Sequence, residues 1–308
     1  MSKPTAALTG LVAATPTPFS ADGELNLPVV AKQAERLLRD GVKTVFIAGS
    51  TGESYSLTVE ERLALAQRWS EIARGSTLRV VVHVGSNCLA DARTLASQAR
   101  SLGVVAIAAL APNYFKPQSL DTLVACCGAI ASAAPSLPFY FYDIPMLTGV
   151  RFSMPEFLSV AAERIPTLAG IKFTNADLMA YQRCLHTHGG RFDIPWGLDE
   201  YLLAALALGA AGGVGSSYNF AAPVYHRLRA AFSKGDLATA RAEQFRSVQL
   251  IELLAASGYI GAAKMVMGFL GIDVGPARLP IANPTTEQRA QLRRNLEQLG
   301  FFDWIGAR

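Results

Sequence analysis

Short apolar, β-branched runs alternate along the chain with amphipathic stretches of roughly 10–17 residues, a pattern that predicts parallel strands joined by right-handed helical crossovers. Eight such runs can be traced: Leu11–Thr15, Thr44–Ala48, Arg79–Val84, Val104–Ala109, Phe139–Tyr142, Ala169–Phe173, Phe192–Trp196 and Gly213–Gly215. Eight parallel strands is the number that closes an α/β barrel. Capping chemistry marks the helices between them. Thr58-x-x-Glu61 is a capping box opening a helix over Thr58–Arg74. Ser153 followed by Pro155 reads as a cap with proline in the first turn, where its missing N–H costs nothing. After the eighth run the period is purely helical, through Ala221–Ser233, Leu237–Ser257, Ile260–Leu270 and Thr286–Leu299. The expected fold class is therefore α/β: a (β/α)8 TIM barrel over residues 1–225 with a C-terminal helical extension over residues 226–308.

Composition agrees with this and removes several other classes. The 308 residues are 51% hydrophobic and 17% charged, which suits a large globular unit with a deep core. The net charge of +4 is spread along the chain without a Lys/Arg cluster, so no nucleic-acid partner is expected. Met1–Gly10 lacks an apolar stretch followed by a cleavage site, so no secretory leader is expected. The most apolar run, Leu202–Gly215, is too short and too rich in Gly and Ala to span a bilayer, so no membrane partner is expected either. Cys88, Cys126, Cys127 and Cys184 show neither paired nor metal-ligand spacing, which fits a reducing cytoplasm. Cys184, His186 and His188 alternate beside Gly189-Gly190 but do not match a zinc pattern, and no metal site is expected.

In barrels of this kind the working groups gather at the C-terminal ends of the strands, where the βα loops form the mouth. Strand two runs into Gly49-Ser50-Thr51-Gly52-Glu53, whose glycines let backbone approach a ligand and whose hydroxyls and amides can grip an anionic oxygen; a plain glycine turn with a helix cap is the alternative. Strand five ends Tyr140-Phe141-Tyr142-Asp143-Ile144-Pro145, with Tyr140 and Tyr142 on one face, either as core tyrosines or, for Tyr142, as a group at the mouth. Strand six carries Lys172 where the pattern demands burial. Desolvation lowers a lysine pKa and frees the neutral amine to attack a ketone, whereas a strand-end lysine could instead reach solvent by its stem. Gly197-Leu198-Asp199-Glu200 and Gly215-Ser216-Ser217-Tyr218-Asn219 follow the last two strands. They suit hydrogen bonds to a polyhydroxylated substrate, although Asp199 and Glu200 also lie where acidic groups favour a helix N-terminus and Asn219 could cap a helix. His83 and His226 read as partly buried histidines without a catalytic role.

Taken in order, Gly49-Ser50-Thr51-Gly52-Glu53, Tyr142-Asp143-Ile144-Pro145, Gly170-Ile171-Lys172-Phe173 and Gly215-Ser216 resemble the dihydrodipicolinate synthase and N-acetylneuraminate lyase superfamily, over nearly the whole chain from Leu11 onward. Lys172-Phe173-Thr174, Gly197-x-Asp199-Glu200, Ser216-x-Tyr218-Asn219 and Gly275-Pro276-x-Arg278-Leu279-Pro280 look like its sialic acid lyase branch. The synthase branch carries an arginine two residues after the proline of the tyrosine motif; here that position is Leu147. Asp143 departs from the lyase pattern, which has His or Asn there.

The resemblance implies a class I carbon-carbon lyase in which Lys172 forms an imine with the ketone of N-acetylneuraminate, releasing N-acetylmannosamine and pyruvate. By the same resemblance Tyr142, Ser50 and Thr51 are catalytic, Ser50 and Thr51 grip the substrate carboxylate, and Gly197, Asp199, Glu200 and Ser216 hold the polyol tail. Thr174 is placed near C4, and Tyr114 matches a family tyrosine at a subunit contact. The implied partners are a keto sugar acid, pyruvate and further copies of the chain in a homotetramer, with no metal or organic cofactor. A dihydrodipicolinate synthase, or a 2-keto-3-deoxy sugar acid aldolase or dehydratase, would use the same imine, and Leu147 speaks against the first. A non-catalytic sugar-acid binding barrel would be marked by loss of the lysine or the tyrosine, and both are present.

Overall fold

Seven parallel strands follow the expected runs: β1 (Gly10–Ala14), β2 (Thr44–Ile47), β3 (Arg79–His83), β4 (Ala106–Leu110), β5 (Phe139–Asp143), β6 (Leu168–Phe173) and β7 (Gly212–Gly215). These come from a computed structural model that describes residues 7–306. The expectation for Met1–Gly10, and the outer limits of the two expected divisions, therefore fall partly outside the described residues. The strands form one sheet in the order β6-β5-β4-β3-β2-β1-β7.

The expected strand Phe192–Trp196 is not a regular strand, and this corrects the count of eight. Residues 193–196 nevertheless bridge the two sheet edges. Ile171 and Phe173 of β6 donate to the Asp193 and Pro195 carbonyls, while Trp196 exchanges hydrogen bonds with Gly212 and Val214 around β7. Pro195 has no N–H to donate, so the ladder is reduced to single bridges while the ring of hydrogen bonds still closes.

Helices fill the connections: α1 (Val29–Arg39), α2 (Val59–Ala73), α3 (Leu89–Ser101), α4 (Leu120–Ala131), α5 (Pro145–Thr148), α6 (Met154–Arg164), α7 (Leu178–His186), α8 (Leu202–Leu208) and α9 (Tyr218–Ser233). Both cap signals operate as expected. Thr58 and Glu61 form the reciprocal box at α2, and Ser153 accepts from the Glu156 N–H at α6. The expected division at residue 225 falls inside α9, which bends at Ala221 ahead of Pro223 rather than ending. Four further helices follow, α10 (Leu237–Ala256), α11 (Tyr259–Phe269), α12 (Thr286–Leu299) and α13 (Phe301–Trp304). Among the described residues no single helix is long and apolar enough to cross a membrane.

Alternation divides the buried apolar side chains into two clusters. The larger holds the outward-facing strand residues, such as Val45, Ile47, Phe139, Phe141, Ile171 and Phe173, packed against the helices. The smaller lies inside the ring and includes Val12, Phe46, Val81, Ala108, Tyr140, Tyr142 and Val214. A register shift between Phe139 and Tyr140 brings Gly170 opposite Tyr140 and Lys172 opposite Tyr142. Without that irregularity the period of two would send Lys172 to the helix side. Gly170 is required because a Cβ there would lie 1.7 Å from the Asp193 carbonyl oxygen.

The turn after β2 is tied to the C-terminal helices by buried charge. Glu53 adopts a left-handed conformation (φ 58°), and its carboxylate accepts from Lys264 Nζ at 2.6 Å and from the Arg278 N–H at 2.8 Å. Burial pushes the Lys264 ammonium below its usual pKa even with that carboxylate beside it. Arg278 then forks onto Glu61, the capping-box residue of α2. Removing one member of a fully buried pair strands the other charge at a cost of about 3–5 kcal/mol. We therefore expect Glu53→Gln to lower unfolding stability in urea by an amount in that range; an unchanged midpoint would show that the pair does not anchor the turn.

Candidate active site

Lys172 is 3% exposed, on the inner face of β6. Its Nζ lies 3.6 Å from the ring centroid of Tyr142 on β5 and 4.2 Å from that of Phe46 on β2. Burial drives the ammonium pKa down from its usual 10.5, against opposing pulls from Tyr142 and the Asp199 carboxylate. The alternative of a solvent-reaching lysine is thereby removed.

Identical alternation gives the two inward tyrosines different fates. Tyr140 donates to Asp193 at 2.9 Å, a satisfied core hydroxyl that burial and the adjacent carboxylate hold protonated. Tyr142 lies one step nearer the strand end, where its hydroxyl pairs with the Ser50 hydroxyl at 3.3 Å. Amine, phenol and hydroxyl therefore share one inner corner, drawn from three strand ends. Such a set can supply a nucleophile, a proton relay and a donor to an anionic oxygen.

The remaining candidates follow the ends of β2, β6 and β7 and the bridging segment 193–196, with one exception. Thr51, Ser216 and Asn219 line a common small cavity. Asp199 is buried and accepts from both the N–H and the hydroxyl of Ser217 at the start of α9; that hydroxyl is also bonded to Tyr225, which bonds Ser247. This chain fixes the carboxylate from behind. Burial pushes the Asp199 carboxyl up to about 6 and raises half-buried Glu200 as well. Gly215 permits the approach, since a Cβ there would sit 1.7 Å from Asp199 Oδ1. Thr174 Oγ1 is buried without a hydrogen-bond partner, and Gly197 packs against it.

Tyr114 is the exception: it is 79% exposed, and its ring packs edge-on against Phe115. Asn219 does not cap α9; its amide donates to the Ala14 and Ser216 carbonyls, joining the ends of β1 and β7. His83 is fully enclosed rather than partly buried. His186 and His188 are exposed while Cys184 is buried, which separates the three side chains.

Two further residues face the corner without having been singled out from sequence. Phe46 walls one side of the amine, and an inward aromatic on a strand carries no distinguishing signal. The Tyr259 hydroxyl, from α11, bonds Ser216 Oγ at 2.7 Å, and no strand-end rule points to a residue so far along the chain. Beside Ser50 opens a cavity of about 280 Å³, lined also by Tyr55, Leu110 and Leu147. Asp143, the departure noted above, points away from the corner. It follows inward-facing Tyr142 on β5 and accepts from the Asn175 amide at 3.3 Å, and Arg151 and Cys184 lie within electrostatic reach.

With this geometry in view, the comparisons with known proteins agree. Residues 7–299 match the sequence model of the dihydrodipicolinate synthetase family. The chain is 39% identical over 310 residues to the N-acetylneuraminate lyase of Rattus norvegicus, covering 99% of this chain and 97% of that protein. The solved structure of Proteus mirabilis N-acetylneuraminate lyase superposes with a TM-score of 0.93 at 39% identity, covering 96% of this chain and 99% of that one. The Aliivibrio salmonicida N-acetylneuraminate lyase gives the same TM-score of 0.93 at 40% identity, covering 96% and 98%.

Burial raises the Asp143 carboxyl from 3.8 to about 6. The folded protein thus holds a proton across that window which the unfolded chain releases, so this side chain costs stability as pH rises through 6 and costs least below 4. Asp143→Asn should raise the melting temperature relative to the parent at pH 8, with the gain shrinking towards pH 5. A pH-independent difference in thermal melts would contradict the assigned environment.

Proposed function

The chain belongs to the dihydrodipicolinate synthetase family, and from that membership together with the buried Lys172–Tyr142 pair we propose that it is a Schiff-base aldolase that cleaves N-acetylneuraminate to N-acetylmannosamine and pyruvate. The fold is read as a (β/α)8 barrel, closed through residues 193–196, with the helices beyond residue 225 as its extension.

The neutral Lys172 amine attacks the C2 ketone of the open-chain sugar acid, and loss of water gives a protonated imine. That imine draws the electron pair of the C3–C4 bond as the C4 hydroxyl loses its proton. N-acetylmannosamine departs, the resulting enamine takes a proton at C3, and water hydrolyses the imine to release pyruvate and restore the amine. Tyr142, bonded to Ser50, is the group placed to carry these protons. Ser50 and Thr51 grip the substrate carboxylate; Gly197, Asp199, Glu200 and Ser216 hold the polyol tail, with Thr174 near C4. The lysine itself furnishes the electron sink, so the reaction calls for no metal or organic cofactor.

The apolar side chain of Leu147, 62% exposed beside Ser50, supports the lyase reading over a synthase that would need a guanidinium there. Tyr114, Phe115, Met146 and Leu279, each more than 75% exposed, form apolar surface suited to subunit contacts, so the functional unit is taken as a homotetramer in which Tyr114 serves a neighbouring site. Four free thiols fit a cytoplasmic location.

Lys172 burial is the observation that carries this proposal. Incubation with pyruvate followed by borohydride should add one reduced pyruvyl group at Lys172 by mass spectrometry, with no adduct in Lys172→Ala. Tyr142→Phe should retain the adduct while losing about 10²–10⁴-fold in turnover, the scale of a missing proton-transfer group. Absence of the wild-type adduct would refute the mechanism. Turnover of a 2-keto-3-deoxy sugar acid with no cleavage of N-acetylneuraminate would refute the substrate assignment alone.

A further inference from the structure

His83 lies at the end of β3, in no hydrogen bond to Lys172, Tyr142 or Ser50, yet it touches the framework of all three. Its ring stands edge-on to Tyr142 at 5.9 Å and 87°, and tilted against Phe46 at 6.2 Å. Those are the two rings that bracket the Lys172 amine. The Leu110 N–H, at the end of β4, points at Nε2 at 3.3 Å. An amide N–H can only donate and a carbonyl can only accept, so the Leu110 and Ala48 contacts together put the hydrogen on Nδ1 and leave Nε2 bare. Arg62 Nη2, 3.4 Å from Nδ1, is then a neighbour of that N–H, and its own hydrogen goes to the His83 carbonyl at 2.8 Å. Nδ1–H then donates to the Ala48 carbonyl at 2.9 Å.

That carbonyl belongs to a strained residue. Ala48 has φ 54°, a conformation that a residue with a Cβ adopts at a cost, and it stands two positions before Ser50. One imidazole therefore holds the turn that presents Ser50 and, through its edge, the ring that presents the Tyr142 hydroxyl. These are the two halves of the 3.3 Å hydroxyl pair. On the other side Arg62 donates to the His83 and Gly85 carbonyls and fixes the backbone beneath the ring.

We infer that His83 is a positioning residue for the proposed reaction, holding the Ser50 turn and the Tyr142 ring in mutual register as a neutral Nδ1–H imidazole. The inference rests on the aldolase reading above. Protonation is opposed from several sides: full burial, the Arg62 guanidinium and the Lys172 amine all push the imidazole well below its usual pKa, and a hydrogen on Nε2 would face the Leu110 N–H. Its part is thus geometric and not that of an acid or base.

The experiment compares His83→Phe, which keeps a ring but loses the tether to Ala48, with His83→Asn, whose amide can still reach that carbonyl. Turnover of N-acetylneuraminate is divided by the number of sites that trap pyruvate at Lys172, so misfolded molecules drop out. A purely structural role would reduce trappable sites and leave turnover per site unchanged. Positioning predicts at least about a tenfold loss of turnover per site in His83→Phe, in keeping with the sensitivity of catalysis to small misplacements, and partial recovery in His83→Asn.

Turnover per site within twofold of wild type in both variants would overturn the inference, as would equal losses in both. A measurement on the unaltered protein guards against variants that do not fold: ¹⁵N imidazole shifts should report a neutral Nδ1–H tautomer at every pH between 5 and 9, and titration or the opposite tautomer would overturn it. Wild-type protein that traps no pyruvate would remove the aldolase reading itself, whereas trapping with unaffected variants removes only the role of His83.

Discussion

A primary amine held out of water against the face of a phenol ring is the constraint on which the rest of the structure turns. Ammonium is strongly hydrated, and moving it into the interior of a ring of strands disfavours its charged form. Two aromatic faces and a distant carboxylate return only part of that loss, so Lys172 is left with a depressed pKa. The same burial that costs folding stability favours the neutral amine that the proposed reaction needs.

Keeping Lys172 in that position takes a good deal of the fold. The register shift beside Phe139 turns the lysine inward, and Gly170 admits the 193–196 segment that closes the ring alongside it. Around the rim, buried polar links stitch each loop to an element far away in sequence: Glu53 to Lys264 and Arg278, Asp199 to Ser217 and Tyr225, Asn219 to Ala14. The helices after the last strand thus brace the mouth, with Lys264 under the Ser50 turn and Tyr259 against Ser216.

Much of this was legible from sequence because periodicity and capping are local. Period-two alternation located Tyr140 and Tyr142 on the inner face, a capping box located α2, and a lysine out of place in an apolar run located the buried amine. What escaped depends on contacts between distant segments. The apolar character of Phe192–Trp196 reads as a strand, although Pro195 within it carries the local sign that the ladder thins to single bridges. Tyr142 was set apart from Tyr140 by its place at the strand end, whereas the partner that satisfies Tyr140, Asp193, lies 53 positions away. Glu53 sits inside the glycine-rich motif with no role legible from its neighbours, because its partner Lys264 lies 211 positions away. Asp143 stood out from sequence only as a departure from the lyase pattern, and alternation turns it outward. Tyr114 was grouped with the site through likeness alone, and a single chain leaves it in solvent.

The depressed basicity of Lys172 is open to direct measurement through the rate at which pyruvate is trapped on it as a function of pH. The account predicts a rate that rises with pH and reaches half its plateau below 10.5, the ordinary lysine value. A midpoint at or above 10.5 would show an amine with ordinary access to water and would contradict the buried-nucleophile account.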